Sequence, residues 1–280
     1  MPKTKLAKVV FYNGKYLASH QAKVLVLGQG FLNTLGLFET MRSYENKIVY
    51  FDEHLKRLKS SSKLLGIQFP YTLMQLKNII RRLVRINNLK DAYVRLTLWK
   101  NESGTDTLII ARRYNPCPRE KYRKGFSAMV CELRQGEPFL ANMKTTNRIL
   151  YELSFKEAAL KGFDEAIILN NLGYVSEAAR SNIFLVKDKD IFTPSLSCAC
   201  LDGITRRVVF ALAEKSKIKI SEGKFRLKDL YSADECFLTN SLMGVMPLVS
   251  VERRMIGKGR LGSLTKFFIA SYAKLLKDGT

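Results

Sequence analysis

The segment RRYNPCPREKYRKG, residues 112–125, constrains the fold most because it divides the sequence into two parts. Its two prolines and many charged side chains are typical of a connection between domains. We expect a small N-terminal α/β domain over residues 1–116, a linker over 117–124 and a larger, β-rich C-terminal domain over 125–280. A chain of 280 residues agrees with this division, because domains average about 150 residues.

Both parts mix strand-like and helix-like apolar patterns, so the sequence predicts an α+β fold. Asn13-Gly14 interrupts an apolar stretch over 8–19 and predicts a β-hairpin. A second strand pair is expected over 36–51, with its turn at Glu45-Asn46. A helix is expected near 52–65 with Asp52 as its N-cap.

The remaining expected elements follow the same patterns in both parts of the chain. In the first part they are a helix at 72–87 and strands at 92–100 and 107–113. In the second part they are strands at 126–133 and 236–242, turns at 171–173 and 187–189, and helices at 147–161, 202–216 and 262–277.

The net charge of +22 arises from 47 basic and 25 acidic side chains. Such a charge is compatible with nucleic acid, anionic lipid or anionic small molecules as partners. The basic residues are spread along the chain, and no zinc-finger, helix-turn-helix or aromatic RNA-binding motif accompanies them. We therefore expect an anionic small-molecule substrate and no nucleic acid, with a basic nucleic-acid-binding protein as the remote alternative.

The sequence holds no run of 18 apolar residues and no secretory signal pattern at its start, so we expect neither a membrane span nor export. Five cysteines with one C-x-C pair, and two histidines, argue against a disulfide framework and against a metal site. These features predict a cytoplasmic protein.

Lys144, in NMKTTNRIL, is a candidate for covalent catalysis, although by itself it is one lysine among many. Downstream, GYVSE ends a predicted strand with the carboxylate of Glu177. Gly203-Ile204-Thr205 then begins a predicted helix, where backbone N–H groups and a hydroxyl are suited to binding phosphate. The sequence lacks the GxGxxG, Walker A and GxSxG motifs.

These segments, taken in order, resemble the class IV aminotransferase family of pyridoxal-phosphate enzymes, also called fold type IV. The resemblance extends from about residue 9 to 250. It rests on these segments: GLFETMRSY (36–44), EHLKRLKSS (53–61), KTTN, GYVSE, SNIF, TPSL, LDGITR and TNSLMGVMPL. It implies a two-domain fold with pyridoxal phosphate between the domains, and a homodimer.

The resemblance also implies roles for individual residues. Lys144 would hold the cofactor as a Schiff base and act as the general base, while Glu177 would pair with the pyridine nitrogen. The remaining cofactor-binding residues would be Arg57, Ile204, Thr205 and Ser241 around the phosphate, and Arg148 in place of a tyrosine near the phenolic oxygen. His54 would be structural, beside the helix that presents Arg57.

Three activities of this family compete: 4-amino-4-deoxychorismate lyase, branched-chain aminotransferase and D-amino-acid aminotransferase. The segments Thr239-Asn240-Ser241-Leu242 and Phe38-Glu39-Thr40-Met41-Arg42 resemble the lyases, which release pyruvate and p-aminobenzoate. Arg148 departs from the tyrosine that branched-chain enzymes usually have at this position. A substrate with two carboxylates would also suit additional cationic groups. We therefore predict the lyase, with either aminotransferase as the alternative. The expected substrate-binding residues are Arg42, Tyr93, Arg95 and Leu242.

Overall fold

A computed structural model describes residues 7–24, 26–45, 47–102 and 104–278 of the chain. The strands are β1 (Val9–Tyr12), β2 (Lys15–Ala18), β3 (Gly36–Tyr44), β4 (Lys47–Ile48), β5 (Ala92–Asn101), β6 (Gly104–Arg113), β7 (Phe126–Gln135), β8 (Glu165–Asn170), β9 (Val175–Ala178), β10 (Asn182–Lys187), β11 (Asp190–Pro194), β12 (Ile220–Gly223), β13 (Glu235–Asn240), β14 (Gly244–Val251) and β15 (Arg254–Met255). The helices are α1 (Gln29–Leu32), α2 (Phe51–Leu64), α3 (Leu73–Ile86), α4 (Arg119–Lys124), α5 (Pro138–Ala141), α6 (Ile149–Leu160), α7 (Ile204–Lys215), α8 (Leu227–Ser232) and α9 (Ser263–Asp278).

The first sheet has six antiparallel strands in the order β2-β1-β6-β5-β3-β4. The hairpin predicted at Asn13-Gly14 is confirmed, because Val9 pairs with Ala18 and both turn residues have positive φ, as a two-residue hairpin turn requires. The strand pair predicted over 36–51 is present as β3 and β4, and Asn46 of its turn lies outside the described residues.

Helices α2 and α3 pack on one face of this sheet. Helix α2 starts one residue earlier than expected, and its N-cap is Tyr50 in a left-handed conformation, so the prediction of Asp52 as the cap is wrong. Asp52 lies instead in the first turn, where a carboxylate interacts favourably with the positive end of the helix dipole.

The second sheet has nine strands and mixes parallel and antiparallel pairs, in the order β12-β11-β10-β13-β14-β7-β8-β9 with β15 paired to β14. Helix α6 packs on β7 and β8, and α9 packs on β13 and β14. Every residue of β8 and β9 is buried, which is expected of strands covered on both faces. The core includes the rings of Phe184 and Phe237, stacked with centroids 4.8 Å apart. The predicted α+β class is confirmed.

The chain divides into two units of internal contact. The first contains the described residues up to Pro116 together with Lys144–Asn147, and the second contains Cys117–Met143 and Arg148–Asp278. The segment 117–124, expected to be a linker, carries helix α4 and belongs to the second unit. The segment Lys144–Asn147 belongs to the first unit because it pairs with β3, through an antiparallel bridge between Leu37 and Thr145.

Candidate active site

Lys144 is held against the start of β3 by its backbone. The Phe38 N–H donates to the Lys144 carbonyl oxygen at 2.9 Å, and the Thr146 N–H donates to the Gly36 carbonyl oxygen at 2.8 Å. The Lys144 amine then lies 4.9 Å from the centroid of the Phe38 ring. The half-buried amine is thus fixed by a strand-like segment and is not carried by a helix.

Arg57 belongs to a buried ionic cluster in the same unit. Its Nε and Nη2 donate to the two carboxylate oxygens of Glu39 at 2.8 and 2.7 Å, and His54 Nδ1 lies 2.6 Å from Glu39 Oε2. Burial disfavours ionisation of Glu39, but the positive charge of Arg57 and the hydrogen bonds from Arg57 and His54 outweigh it and lower the pKa of this carboxyl to about 2. Glu39 therefore orients the guanidinium of Arg57.

His54 was expected beside the helix that presents Arg57, and it lies instead on that helix, three residues before Arg57. It is 1% exposed, and burial lowers its pKa although the negative charge of Glu39 opposes that change. A neutral imidazole that donates from Nδ1 to the carboxylate satisfies both observations. Sequence reasoning missed Glu39, because a glutamate in an apolar strand is recognised as functional only when its partners on α2 are known.

Three of the expected substrate-binding residues lie on the face of the first sheet opposite Glu39, since strand residues alternate between faces. Arg42 pairs with Tyr93 across β3 and β5, and Thr40 pairs with Arg95. Arg42 already forms a two-point ion pair with Asp91, with Nη2 and Nε at 2.6 and 3.2 Å from the carboxylate oxygens. A substrate carboxylate at Arg42 would therefore compete with Asp91.

Arg95 and Tyr93 each contact a second side chain. The Arg95 guanidinium carbon lies 3.8 Å from the centroid of the Phe38 ring, and Arg95 Nε donates to Thr97 Oγ1 at 3.3 Å. Arg112 lies over the Tyr93 ring at 4.3 Å. Phe38 thus has both the Lys144 amine and the Arg95 guanidinium within 5 Å of its ring.

In the second unit, both carboxylate oxygens of Glu177 accept hydrogen bonds. The Tyr151 hydroxyl donates to Oε1 at 2.9 Å, the Leu201 N–H donates to Oε2 at 3.2 Å, and Asn182 lies at 3.5 Å from Oε2. Glu177 is 5% exposed, and three donors around a buried carboxylate stabilise its charged form. This is the environment that an anionic partner of a protonated ring nitrogen requires.

Tyr151 links Glu177 to the rest of the second sheet. Its hydroxyl accepts a 2.6 Å hydrogen bond from the Gln135 amide, and burial together with the nearby negative charge of Glu177 raises its pKa. The guanidinium of Arg148 lies 4.3 Å from the Tyr151 ring centroid and donates to the Ala179 carbonyl oxygen at 3.1 Å. The sequence did not identify Tyr151 as a site residue, because it lies within a predicted helix and outside the motifs that carry the family resemblance.

Ile204 and Thr205 form the first turn of the 12-residue helix α7, and Gly203 caps it without a side-chain hydrogen bond. A Cβ at position 203 would overlap the amide oxygen of Asn182, so a larger residue there would displace the Asn182 side chain. The Thr205 hydroxyl is buried, and within the described part of the chain it has no hydrogen-bond partner. Free N–H groups and a buried hydroxyl without a partner fit a phosphate group.

Ser241 and Leu242 lie in the turn between β13 and β14. The Asn240 side-chain oxygen accepts hydrogen bonds from the N–H groups of Leu242 and Met243 at 3.0 and 2.9 Å, and its amide donates to the Arg180 carbonyl oxygen at 3.1 Å. Asn240 therefore determines the shape of the turn that presents Ser241. The sequence gives no sign of this role, since Asn240 is simply one residue of the segment TNSL.

A positioned lysine amine, a buried carboxylate held by three donors and a helix N-terminus suited to phosphate are the parts of a pyridoxal-phosphate-dependent enzyme. The family model for amino-transferase class IV matches residues 36–251. The chain belongs to the class IV aminotransferase family, and pyridoxal phosphate is its cofactor.

The similarity to curated and solved proteins covers nearly the whole chain. The branched-chain-amino-acid aminotransferase of Salmonella typhimurium is 30% identical over 94% of this chain and 91% of its own length. The crystal structure of the Escherichia coli branched-chain amino acid aminotransferase superposes with a TM-score of 0.92 at 29% identity, covering 98% of this chain and 96% of that chain. The T.th. branched-chain amino acid aminotransferase complexed with N-(5'-phosphopyridoxyl)-L-glutamate superposes with a TM-score of 0.90 at 26% identity, covering 98% and 95%. The predicted fold type IV is confirmed.

These relatives contradict the prediction of an aminodeoxychorismate lyase, since they are branched-chain aminotransferases. The structure gives a physical reason for the error. Asn240 belongs to a segment that resembles the lyases, but in the structure its side chain stabilises a turn. The three arginines expected to suit a second substrate carboxylate already contact other groups of the protein. Arg42 forms an ion pair with Asp91, Arg95 lies over the Phe38 ring, and Arg148 donates a hydrogen bond to the Ala179 carbonyl oxygen.

Two further observations concern the other expected partners. Within the described residues, no helix is long and apolar enough to cross a membrane. The same residues hold no group of three or more histidine, cysteine, aspartate or glutamate side chains that could bind a metal ion.

Proposed function

We propose that the chain is a branched-chain amino acid aminotransferase, which moves the amino group of leucine, isoleucine or valine to a 2-oxo acid such as 2-oxoglutarate. The observation that carries the proposal is the similarity to branched-chain enzymes over more than nine-tenths of the chain. The glutamate adduct in the T.th. enzyme supports glutamate as the second amino acid of the pair.

The residues assigned to the cofactor by the family resemblance stay a proposal, supported by their surroundings. Lys144 would attach the cofactor, Arg57 and Thr205 would hold its phosphate, and Glu177 would keep its ring nitrogen protonated. Ile204, Ser241 and Arg148 complete the proposed set. When bound, pyridoxal phosphate accepts the electron pair left when the substrate Cα loses a proton.

The chain's own residues would perform the proton transfer and the orientation. The Lys144 amine would remove the proton from the substrate Cα as a general base, and would then donate it as a general acid to the carbonyl carbon of the cofactor. Glu39 would keep the Arg57 guanidinium pointed at the phosphate, since it holds two of the guanidinium N–H groups. A homodimer and a cytoplasmic location stay predictions.

The test is a product assay with the purified, cofactor-loaded protein. With leucine and 2-oxoglutarate we expect 4-methyl-2-oxopentanoate and glutamate in equal amounts, and we expect Lys144→Ala to remove the activity and to change the visible absorbance of the bound cofactor. Lys156→Ala, a lysine on α6, is the control. Transfer from D-alanine but not from leucine would overturn the proposal, as would release of pyruvate from aminodeoxychorismate.

A further inference from the structure

A cavity lies in the first unit, and none of the residues assigned to the cofactor lines it. Its volume is about 390 Å³. It lies between helix α3 and the hairpin of β3 and β4, and we call it the Arg81–Arg85 pocket. It is lined by Ser43, Ile48, Arg81, Val84 and Arg85.

Arg81 and Arg85 both lie on helix α3 and both line this pocket. They are four residues apart on α3, a spacing that places both side chains on one face of the helix. Among the described residues, neither Arg81 nor Arg85 forms an ion pair or a ring contact. Two like charges at this spacing repel each other, so an anion bound between them would relieve the repulsion.

Ser43 adds a hydroxyl to the lining of this pocket. The residue is 1% exposed, and its hydroxyl has no hydrogen-bond partner within the described residues. An unpartnered buried hydroxyl is unfavourable, and it can turn toward a ligand by rotation about Cα–Cβ without losing a hydrogen bond. Ile48 and Val84, which are 7% and 3% exposed, supply apolar walls beside it.

We infer that the Arg81–Arg85 pocket binds the phosphate monoester of a small organic molecule. A phosphate monoester carries close to two negative charges at pH 7, which matches two guanidinium groups, and each guanidinium can donate two parallel hydrogen bonds to it. The volume of about 390 Å³ falls within the usual range of about 300–1,000 Å³ for small-molecule sites, so it admits an organic body as well as the phosphate.

The chain offers a matched control for the charge of this pocket. Arg119 and Arg123 are also four residues apart, on α4, both are exposed, and neither lines the Arg81–Arg85 pocket. The double variant R119Q/R123Q removes the same charge as R81Q/R85Q. A difference between the two variants therefore reports the pocket and not the overall charge.

The experiment is isothermal titration of the cofactor-loaded protein, in which the cofactor's own phosphate occupies its site. Phenyl phosphate, inorganic phosphate and benzoate are the probes. We expect saturable binding of phenyl phosphate at one site, weaker binding of inorganic phosphate and no binding of benzoate. R81Q/R85Q should weaken phenyl phosphate by about tenfold or more and Ser43→Ala by about threefold, while R119Q/R123Q should leave it unchanged.

Each alternative result would overturn the inference in a different way. Equal losses in R81Q/R85Q and R119Q/R123Q would show that overall charge binds the probes. Inorganic phosphate binding as tightly as phenyl phosphate would assign the pocket to free phosphate. No saturable binding to the unaltered protein would remove the site. Circular dichroism and the absorbance of the bound cofactor check that each variant is folded.

Discussion

The Tyr151 hydroxyl donates a 2.9 Å hydrogen bond to Glu177 Oε1 and accepts a 2.6 Å hydrogen bond from Gln135. The carboxylate proposed to contact the cofactor ring is therefore fixed by a tyrosine on helix α6 and, through it, by strand β7. Glu177 and Tyr151 are 26 residues apart in the sequence, so this relationship exists only in the folded chain.

We expect Tyr151→Phe to weaken both stability and cofactor binding. A hydrogen bond to a charged group contributes about 1.5–3 kcal/mol, so the free energy of unfolding should fall by that amount in chemical denaturation. Equilibrium dialysis should show a higher dissociation constant for pyridoxal phosphate. Tyr231→Phe is the control, because the hydroxyl of Tyr231 forms no hydrogen bond within the described residues. Equal behaviour of the two variants would contradict the role of Tyr151.

Glu39→Gln should destabilise the first unit. It removes the ion pair between Glu39 and the buried guanidinium of Arg57, and breaking a buried ion pair costs about 3–5 kcal/mol. Urea unfolding measures this loss. The pKa of Glu39 is lowered to about 2, so its contribution is present above the usual pKa of 4.5 and is lost as the pH falls toward 2. The variant should lack that part of the pH dependence.

Glu120→Gln provides the comparison for Glu39→Gln. Glu120 forms an ion pair with Lys124 on the surface of α4, where both side chains are exposed. Exposed pairs contribute little to stability. If both glutamine variants lost the same free energy of unfolding, the buried cluster of Glu39, Arg57 and His54 would contribute no more to stability than an exposed ion pair.

Thr205→Val should affect the cofactor-free and the cofactor-bound protein differently. The Thr205 hydroxyl is buried without a partner among the described residues, so its removal should leave the stability of the cofactor-free protein unchanged or raise it. Binding of pyridoxal phosphate should weaken by about tenfold or more, because a hydrogen bond to a charged phosphate would be lost. Thermal unfolding and equilibrium dialysis measure the two effects.

Thr193→Val should show the opposite pattern and serves as the control for Thr205→Val. The Thr193 hydroxyl donates to the Ile183 carbonyl oxygen at 2.8 Å and is also buried. Its loss should lower stability by about 1 kcal/mol and leave cofactor affinity unchanged. Stabilities that fall together in both variants would show that Thr205 has a protein partner.

A local signal in the sequence predicted the first hairpin correctly. The Asn13-Gly14 turn specifies its hairpin through the positive φ angles of two adjacent residues. The N-cap of α2 was predicted incorrectly, because Tyr50 adopts a left-handed conformation that is unusual for its side chain. The prediction of Asp52 rested on the general preference of aspartate for N-cap positions, and the surrounding structure overrides that preference at α2.

The candidate site was predictable only where single residues carry the chemistry. Lys144 and Glu177 stand out as an amine and a carboxylate in ordered motifs, while Glu39 and Asn240 act by holding other residues. Glu39 lies 18 residues from Arg57, and only packing of α2 on β3 brings them together. The predicted activity is wrong because residues that shape a turn, such as Asn240, carry no information about the substrate.

Glu165 should make the protein less stable as the pH rises. It is fully buried at the start of β8, and burial raises its pKa to about 7 although hydrogen bonds from Ala166 and Ser181 oppose the change. Between the usual pKa of 4.5 and about 7, the folded state holds a proton that the unfolded state has released. The free energy of unfolding therefore falls across this window, by on the order of 3 kcal/mol.

Glu165→Gln should remove this slope, because the amide is neutral at every pH and has nearly the shape of the protonated carboxyl. Urea unfolding at pH 5, 6, 7 and 8 measures the effect, and the variant should match the unaltered protein at pH 5 and exceed it at pH 8. Glu120→Gln is the contrasting variant, since the lowered pKa of the exposed Glu120 acts only below the usual pKa of 4.5 and leaves the slope above it unchanged. A slope between pH 5 and 8 that persists in Glu165→Gln would show that another group titrates there.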